Sequence, residues 1–267
     1  AAPEEERFQL VYQVQLKLRG ERGAASPPAS RAFAMKLLLP VLSGVLVALS
    51  FPRHGLGCAA WVAYVPLIAF VYLSATSPRA FWGGFVAGFI AAFSLLLWIP
   101  EVLIRYGGMS PALASAAYTF VAVVLACYPA AACALTKYAM RRGGSAFFLL
   151  LPFFWVVFEY ALSLFPFGGL PWILAGYSQS GYGPVLQIAD VTGIYGVSFL
   201  ILASGTALVW LVCSRGSRKA AWAPVLAAVL LTGGALAYGR RSLEKWNAVP
   251  AAFRVAMLQG NISADDP

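Results

Sequence analysis

Charged residues and metal-ligating residues are scarce in this chain of 267 residues. Asp, Glu, Lys and Arg make up 11% of it, and His54 is its single histidine. No pair of cysteines forms a CxxC motif, and no phosphate-binding loop, nucleophile elbow or dinucleotide-binding glycine motif occurs. These absences exclude a His/Cys metal site, a disulfide framework and a familiar catalytic triad, so no cofactor is predicted. The four cysteines, which lie in or beside apolar stretches, are predicted to be small buried hydrophobic residues: Cys58, Cys127, Cys133 and Cys213.

Long apolar stretches occupy most of the remaining sequence. Hydrophobic residues make up 61% of the chain, and the mean hydropathy is +0.77. A water-soluble chain of this composition would aggregate, so lipid is the expected solvent. The sequence therefore predicts an all-α polytopic membrane bundle of about seven transmembrane helices. The predicted spans are residues 36–51, 58–74, 80–99, 110–139, 145–165, 192–213 and 220–238.

The positive charge of the chain indicates topology. The net charge is +9, but no basic stripe with interleaved aromatic residues favours nucleic acid as a partner. With the N-terminus in the cytoplasm, the opposite short loops hold only Arg53 and Arg105. Seven crossings then place the chain after about residue 240 outside the cytoplasm. The basic residues expected on the cytoplasmic side are Lys36, Arg79, Lys137, Arg141, Arg142, Arg215, Arg218 and Lys219.

The two ends differ from the apolar middle. Residues 1–34 are polar and precede Met35, which resembles a natural start, so we expect a non-native or disordered extension there. Residues 35–240 are predicted to form the transmembrane helical domain. Residues 241–267 are predicted to be a linker and the start of a truncated soluble domain, because 253–262 has the pattern of a buried strand.

The loop between the fifth and sixth predicted spans is rich in glycine and aromatic residues. It contains Trp172 and Tyr177, whose apolar rings with polar tips favour the lipid headgroup layer. One hypothesis is a lipid-binding or re-entrant loop beside an active site. The alternative, an ordinary aromatic belt at the membrane surface, stays open at this point.

Two charged residues near this loop are further candidates. Glu159 lies inside the fifth span, where a carboxylate is costly and commonly functional. It shares a helix face with Trp155, and it is expected to form a structural polar contact, reach water or pair with Arg105. Arg105 has two further hypothetical partners, which are Glu101 and the phosphate of a phospholipid.

Two short motifs predict local structure. Gly84 and Gly88, four residues apart in the third span, predict a close approach of a neighbouring helix. Asp190 and Thr192 precede the sixth span and are predicted to cap its N-terminus.

Several of these motifs together resemble the apolipoprotein N-acyltransferase family, over about residues 35–267. Phe51-Pro52, followed by Trp61 and Pro66, is similar to the family's first hairpin. The other motifs, in the family's order, are Trp98 with YGGM at 106–109, FGGLPWILAGYSQ at 167–179, QIADVTGIYGVSF at 187–199 and VAMLQGNI at 255–262.

The resemblance implies a bacterial inner-membrane enzyme with a nitrilase-like α/β domain on the periplasmic side. Such an enzyme transfers an acyl chain from a phospholipid, through a cysteine thioester, to the α-amine of a diacylglyceryl apolipoprotein. The catalytic Glu, Lys and Cys are then expected beyond residue 267, so this chain alone is expected to be inactive. Carried over to this sequence, Trp172 and Tyr177 border the lipid entrance, and Glu159 matches an acidic position. Leu162 stands where members often carry an arginine.

Two other functions remain as alternatives. A polytopic transporter is disfavoured because no charges pair within the spans and no inverted repeat is evident. A non-enzymatic membrane scaffold is the third hypothesis.

Overall fold

The computed structural model describes residues 29–166, 168–214, 218–249 and 256. This part of the chain is helical and contains no β-strand. The predicted strand at 253–262 lies outside the described residues, apart from Ala256. The helices are α1 (Ala29–Ser50), α2 (Ala60–Ala63), α3 (Val65–Leu73), α4 (Ser77–Leu95), α5 (Ile99–Arg105), α6 (Pro111–Gly143), α7 (Leu151–Leu162), α8 (Gly183–Leu186), α9 (Ala189–Thr192), α10 (Ile194–Cys213) and α11 (Arg218–Asn247).

Helical structure lies at each of the seven predicted spans, but the lengths differ. Two of the predicted spans correspond to shorter apolar segments, Leu38–Ser50 and Gly57–Leu73. The count of seven transmembrane helices therefore stays a prediction. The segments of the described chain that are long and apolar enough to cross a bilayer are Ser77–Leu95, Pro111–Gly143, Ser145–Leu162, Ile194–Cys213 and Ala220–Asn247.

Proline explains why the second segment is not one continuous helix. A 3₁₀ turn at Gly57–Ala59 leads into α2, and α3 then begins at Val65, directly before Pro66. Proline has no backbone N–H and is tolerated in the first turn of a helix, so the chain restarts a helix there. The broken segment packs between α1 and α10.

The boundaries at the two ends of the helical region also differ from the predicted domain limits. Helix α1 begins at Ala29, before residue 35, and α11 continues to Asn247, beyond residue 240. The division into an extension, a membrane domain and a soluble domain stays a prediction.

Helices α4 and α6 form the most extensive helix contact among the described residues, and Gly84 and Gly88 make their close approach possible. A Cβ atom on Gly84 would lie 2.8 Å from the Cα atom of Ala130 and 2.9 Å from the Pro129 carbonyl oxygen. A Cβ atom on Gly88 would lie 2.6 Å from Cγ of Pro129. The predicted close helix approach is therefore present, since only a residue without a side chain fits against these atoms.

The predicted burial of the four cysteines was wrong for two of them. Cys58 and Cys127 are exposed on the protein surface, whereas Cys133 is buried and Cys213 is half-buried. Apolar stretches of a membrane helix cover both its lipid-facing and its protein-facing sides, so hydropathy alone does not separate the two.

Lys137 also differs from its predicted surroundings. The sequence predicts that it is one of the basic residues on the cytoplasmic side. It lies within α6, however, and its side chain is only 2% exposed. Its Nζ atom donates a hydrogen bond to the carbonyl oxygen of Tyr72 at 3.0 Å. A buried ammonium needs such an acceptor, and Lys137 therefore joins α6 to the end of α3.

The predicted N-cap of the sixth span was wrong. Gly193 holds the N-cap position of α10, with φ at 62°, and no side chain caps this helix. Asp190 instead accepts a hydrogen bond from the Tyr238 hydroxyl at 2.6 Å. A left-handed backbone at the helix start requires glycine, which excludes the usual capping residues from that position.

Candidate functional site

The loop between α7 and α10 is held by hydrogen bonds to buried side chains. It contains two 3₁₀ turns, Pro171–Ile173 and Ala175–Gln179, joined at Leu174. The first turn begins at Pro171, and the second follows Leu174, which has an extended backbone. The turns leave backbone N–H groups without helical partners, so the fold must supply acceptors for them.

Glu159 supplies one of these acceptors. Its side chain is 7% exposed, and Oε1 accepts hydrogen bonds from the Ala175 N–H at 2.7 Å and from Trp155 Nε1 at 3.1 Å. The predicted structural polar contact is therefore present, and the partner on the same helix face is Trp155, as the spacing indicated. Glu159 thus attaches the aromatic loop, which comprises residues 171–179, to α7.

Ser198 and Gln179 complete this attachment, although sequence reasoning assigned neither of them a role. The Ser198 hydroxyl oxygen accepts from the Gly176 N–H at 2.9 Å. Gln179, which is 1% exposed, donates through Nε2 to the Gly57 carbonyl oxygen at 2.7 Å and accepts from Trp61 Nε1 at 3.1 Å. The loop is therefore tied to α10, to the 3₁₀ turn Gly57–Ala59 and to α2, as well as to α7.

The aromatic residues of the loop line an open groove at one end of the bundle. The groove has a volume of about 520 Å³. The Trp172 ring is 46% exposed and lies against the Trp98 ring, with centroids 5.5 Å apart. Tyr177 is half-buried in the same wall, and its burial raises the pKa of its hydroxyl above the ordinary value, so the group is neutral at physiological pH. The residues of the groove are Phe51, Pro52, Arg53, Leu95, Leu96, Trp98, Pro171, Trp172, Ile173 and Tyr177.

The three segments that meet at the groove were all predicted to lie on the same side of the membrane. They are the loop after α1, the end of α4 and the loop after α7, which are separated along the chain by pairs of spans. The structure brings these segments together at one groove, and the side of the membrane on which they lie stays a prediction.

Arg105 is not among the groove residues. Its guanidinium lies 3.8 Å from the carboxylate of Glu101, and both side chains are exposed, at 54% and 70%. The groove is lined instead by Arg53, on the loop after α1. The structure therefore places Trp172 and Tyr177 in one groove. Glu159 is hydrogen-bonded to the loop that carries them. Arg105 lies outside the groove.

A small inner cavity lies on the other side of the loop. It has a volume of about 60 Å³, and both Glu159 and Leu162 line it. Oε2 of Glu159 has no hydrogen-bond partner among the described residues. Ile173 borders both the inner cavity and the outer groove. Because Leu162 is apolar, this position provides no cation for the second carboxylate oxygen.

Comparisons with known proteins agree with this arrangement. The family model described as "Apolipoprotein N-acyltransferase N-terminal domain" matches residues 43–207, which include α4, α6, α7 and the aromatic loop. A curated apolipoprotein N-acyltransferase from Geobacter metallireducens is 39% identical over 235 residues, which cover 84% of this chain and 43% of the relative. One from Methylococcus capsulatus is 31% identical over 86% of this chain and 44% of the relative.

The chain therefore spans less than half the length of these relatives. The family match covers more than half of this chain and includes all the residues that line the groove. On this evidence, the chain belongs to the apolipoprotein N-acyltransferase family.

Proposed function

We propose that this chain is the membrane portion of an apolipoprotein N-acyltransferase. In the proposed reaction, a cysteine thiolate attacks the ester of a phospholipid, forming a thioester and releasing a lysophospholipid. The free amine of a diacylglyceryl-cysteine apolipoprotein then attacks the thioester, which forms an amide and returns the thiolate. Within this scheme the present chain binds the lipid donor, and it is expected to transfer no acyl group by itself.

The groove lined by Trp98, Trp172 and Tyr177 is the observation that carries this proposal. Indole and phenol rings suit the boundary between acyl chains and headgroups, because they combine an apolar ring with a polar tip. The groove is anchored from beneath by Glu159 and Gln179, so its wall is pre-organised and does not have to fold around each lipid. An ordinary aromatic belt needs no such buried attachments.

The proposed partners and location follow from the family. The partners are a phospholipid acyl donor, a diacylglyceryl apolipoprotein acceptor and the surrounding membrane. The proposed location is the bacterial inner membrane, with the N-terminus in the cytoplasm and the chain after about residue 240 in the periplasm. The positive-inside bias supports this orientation.

Acyl transfer by a chimera tests the proposal. Residues 43–207 of this chain would replace the matching segment of the Geobacter metallireducens relative, and transfer of a labelled acyl chain from phospholipid to a diacylglyceryl peptide would be measured. We expect Trp172→Ala to lower turnover severalfold while leaving membrane insertion unchanged. Trp82→Ala is the matched control, since Trp82 is also an exposed tryptophan, at 61%, but lies on α4 away from the groove.

If Trp172→Ala and Trp82→Ala had equal turnover, the loop would be an ordinary aromatic belt and not a lipid-binding site. Substrate-driven flux through proteoliposomes that contain this chain alone would instead support the transporter alternative.

A further inference from the structure

Arg53 is the one charged residue that lines the groove among the residues that the structure describes. The other residues of that groove are apolar or aromatic, including Trp98 and Trp172, whose rings lie against each other. An apolar groove with a single cation in its lining suits an amphiphile with an anionic head, since the two ends of such a ligand meet complementary surroundings.

The backbone holds Arg53 in place. It lies in a 3₁₀ turn, Pro52–His54, which ends at Gly55 with φ at 69°. Phe51, directly before the turn, is buried at 6% exposure, and the turn packs against the Ala175–Gln179 segment of the aromatic loop. Arg53 therefore lines the groove from a turn that packs against the aromatic loop.

No carboxylate of the described residues is within ion-pair distance of Arg53, whereas Arg105 lies beside Glu101 at 3.8 Å. The guanidinium carries five N–H donors in a planar fork that matches the oxygens of a phosphate. Arg53 thus brings guanidinium donors to the lining of a groove of about 520 Å³.

We propose that Arg53 binds the phosphate of a glycerophospholipid whose acyl chain lies in the groove against Trp98 and Trp172. This inference rests on the proposed function, and it names the residue that recognises the donor headgroup. It also moves the phosphate contact from Arg105, which the sequence suggested, to Arg53.

Quenching of tryptophan fluorescence by brominated lipids measures occupancy of this groove. The full chain in detergent micelles would be titrated with brominated phosphatidylglycerol and, separately, with brominated diacylglycerol, which lacks the phosphate. The quenching that disappears in Trp172→Phe reports the groove. We expect Arg53→Gln to weaken the phosphatidylglycerol titration by about tenfold and to leave the diacylglycerol titration unchanged. The affinity of Arg53→Lys for phosphatidylglycerol should lie between the affinities of Arg53→Gln and the unmodified chain. Lysine keeps the positive charge but lacks the planar fork of donors.

Arg105→Gln is the matched control, because it removes an exposed arginine outside the groove, and both titrations should stay unchanged. Excess inorganic phosphate should not displace the lipid, which separates a lipid headgroup from a free anion. A phosphatidylglycerol titration that is unaltered by Arg53→Gln but weakened by Arg105→Gln would overturn the inference while leaving the proposed lipid groove intact.

Two further results would also count against it. Equal weakening of both lipids by Arg53→Gln would mean that the arginine only supports the shape of the groove. If neither lipid gave Trp172-dependent quenching, the groove would not be a lipid-binding site. That result would contradict the proposed function as well as the role of Arg53.

Discussion

Removing the Glu159 carboxylate should loosen the aromatic loop and destabilise the bundle. Its Oε1 atom accepts hydrogen bonds from the buried Ala175 N–H and from Trp155 Nε1. In Glu159→Ala both donors lose their acceptor at once. An unsatisfied buried donor costs about 1–3 kcal/mol, so we expect the free energy of unfolding to fall by about 2–5 kcal/mol.

Glu159→Gln should cost much less. Its amide oxygen can take the place of Oε1, and both N–H donors keep a partner. The second carboxylate oxygen has no hydrogen-bond partner among the described residues, so converting the group to a neutral amide breaks no hydrogen bond at that atom. We expect a loss below about 1.5 kcal/mol.

Two measurements on the purified chain in detergent would test this reasoning. Unfolding followed against added denaturing detergent gives the order of stability, which should be unmodified chain, then Glu159→Gln, then Glu159→Ala. Chymotrypsin cleavage after Trp172 or Tyr177 reports the loop directly, and it should be fastest in Glu159→Ala. Glu101→Ala is the control, since that carboxylate is 70% exposed and surface ion pairs contribute little.

The reasoning would be refuted if Glu159→Ala unfolded and was cleaved like Glu101→Ala. It would also be refuted if Glu159→Gln were as unstable as Glu159→Ala, because the carboxylate charge, and not the accepting oxygen, would then be what matters.

Two further substitutions have definite expected outcomes. Gln179→Leu should lower the free energy of unfolding by about 1–3 kcal/mol, because the Gly57 carbonyl loses its donor in a buried position; detergent unfolding measures this, and an unchanged midpoint would contradict it. Gly84→Ala should separate α4 from α6 and destabilise the chain, since its Cβ would lie 2.8 Å from the Ala130 Cα atom. Gly233→Ala on α11, where nothing lies within 4 Å of the new Cβ, should instead be neutral or stabilising because alanine favours helix; equal effects of the two glycine substitutions would contradict the packing argument.

Much of the helical architecture follows from composition. Apolar stretches predict where helices form in lipid, because every backbone group must then be paired within its own segment. The spacing of Gly84 and Gly88 also predicted a helix contact that the structure contains. Hydropathy did not reveal the break before Pro66 or the burial of Lys137, since both depend on which neighbours surround the residue.

The candidate site was only partly accessible from the sequence. The aromatic loop was evident because glycine and aromatic residues cluster there, and Glu159 was evident because a carboxylate in an apolar span is rare. Gln179 and Ser198 gave no comparable signal, since polar residues of a loop are usually solvated. Arg53 was noticed only as a loop charge, and its place in the groove arises from contacts between segments more than a hundred residues apart.

By itself the sequence determined that lipid is the solvent of this chain, roughly where its helices lie, and which loop carries the aromatic residues. These properties depend on the local order of apolar and polar side chains, which the amino-acid sequence gives directly. Only the tertiary structure decided that Glu159 supports the loop and does not pair with a loop arginine, and that Arg53 and not Arg105 borders the groove. Such partnerships are set by the packing of distant segments, because a hydrogen bond or an ion pair depends on ångström-scale distances that local sequence does not encode.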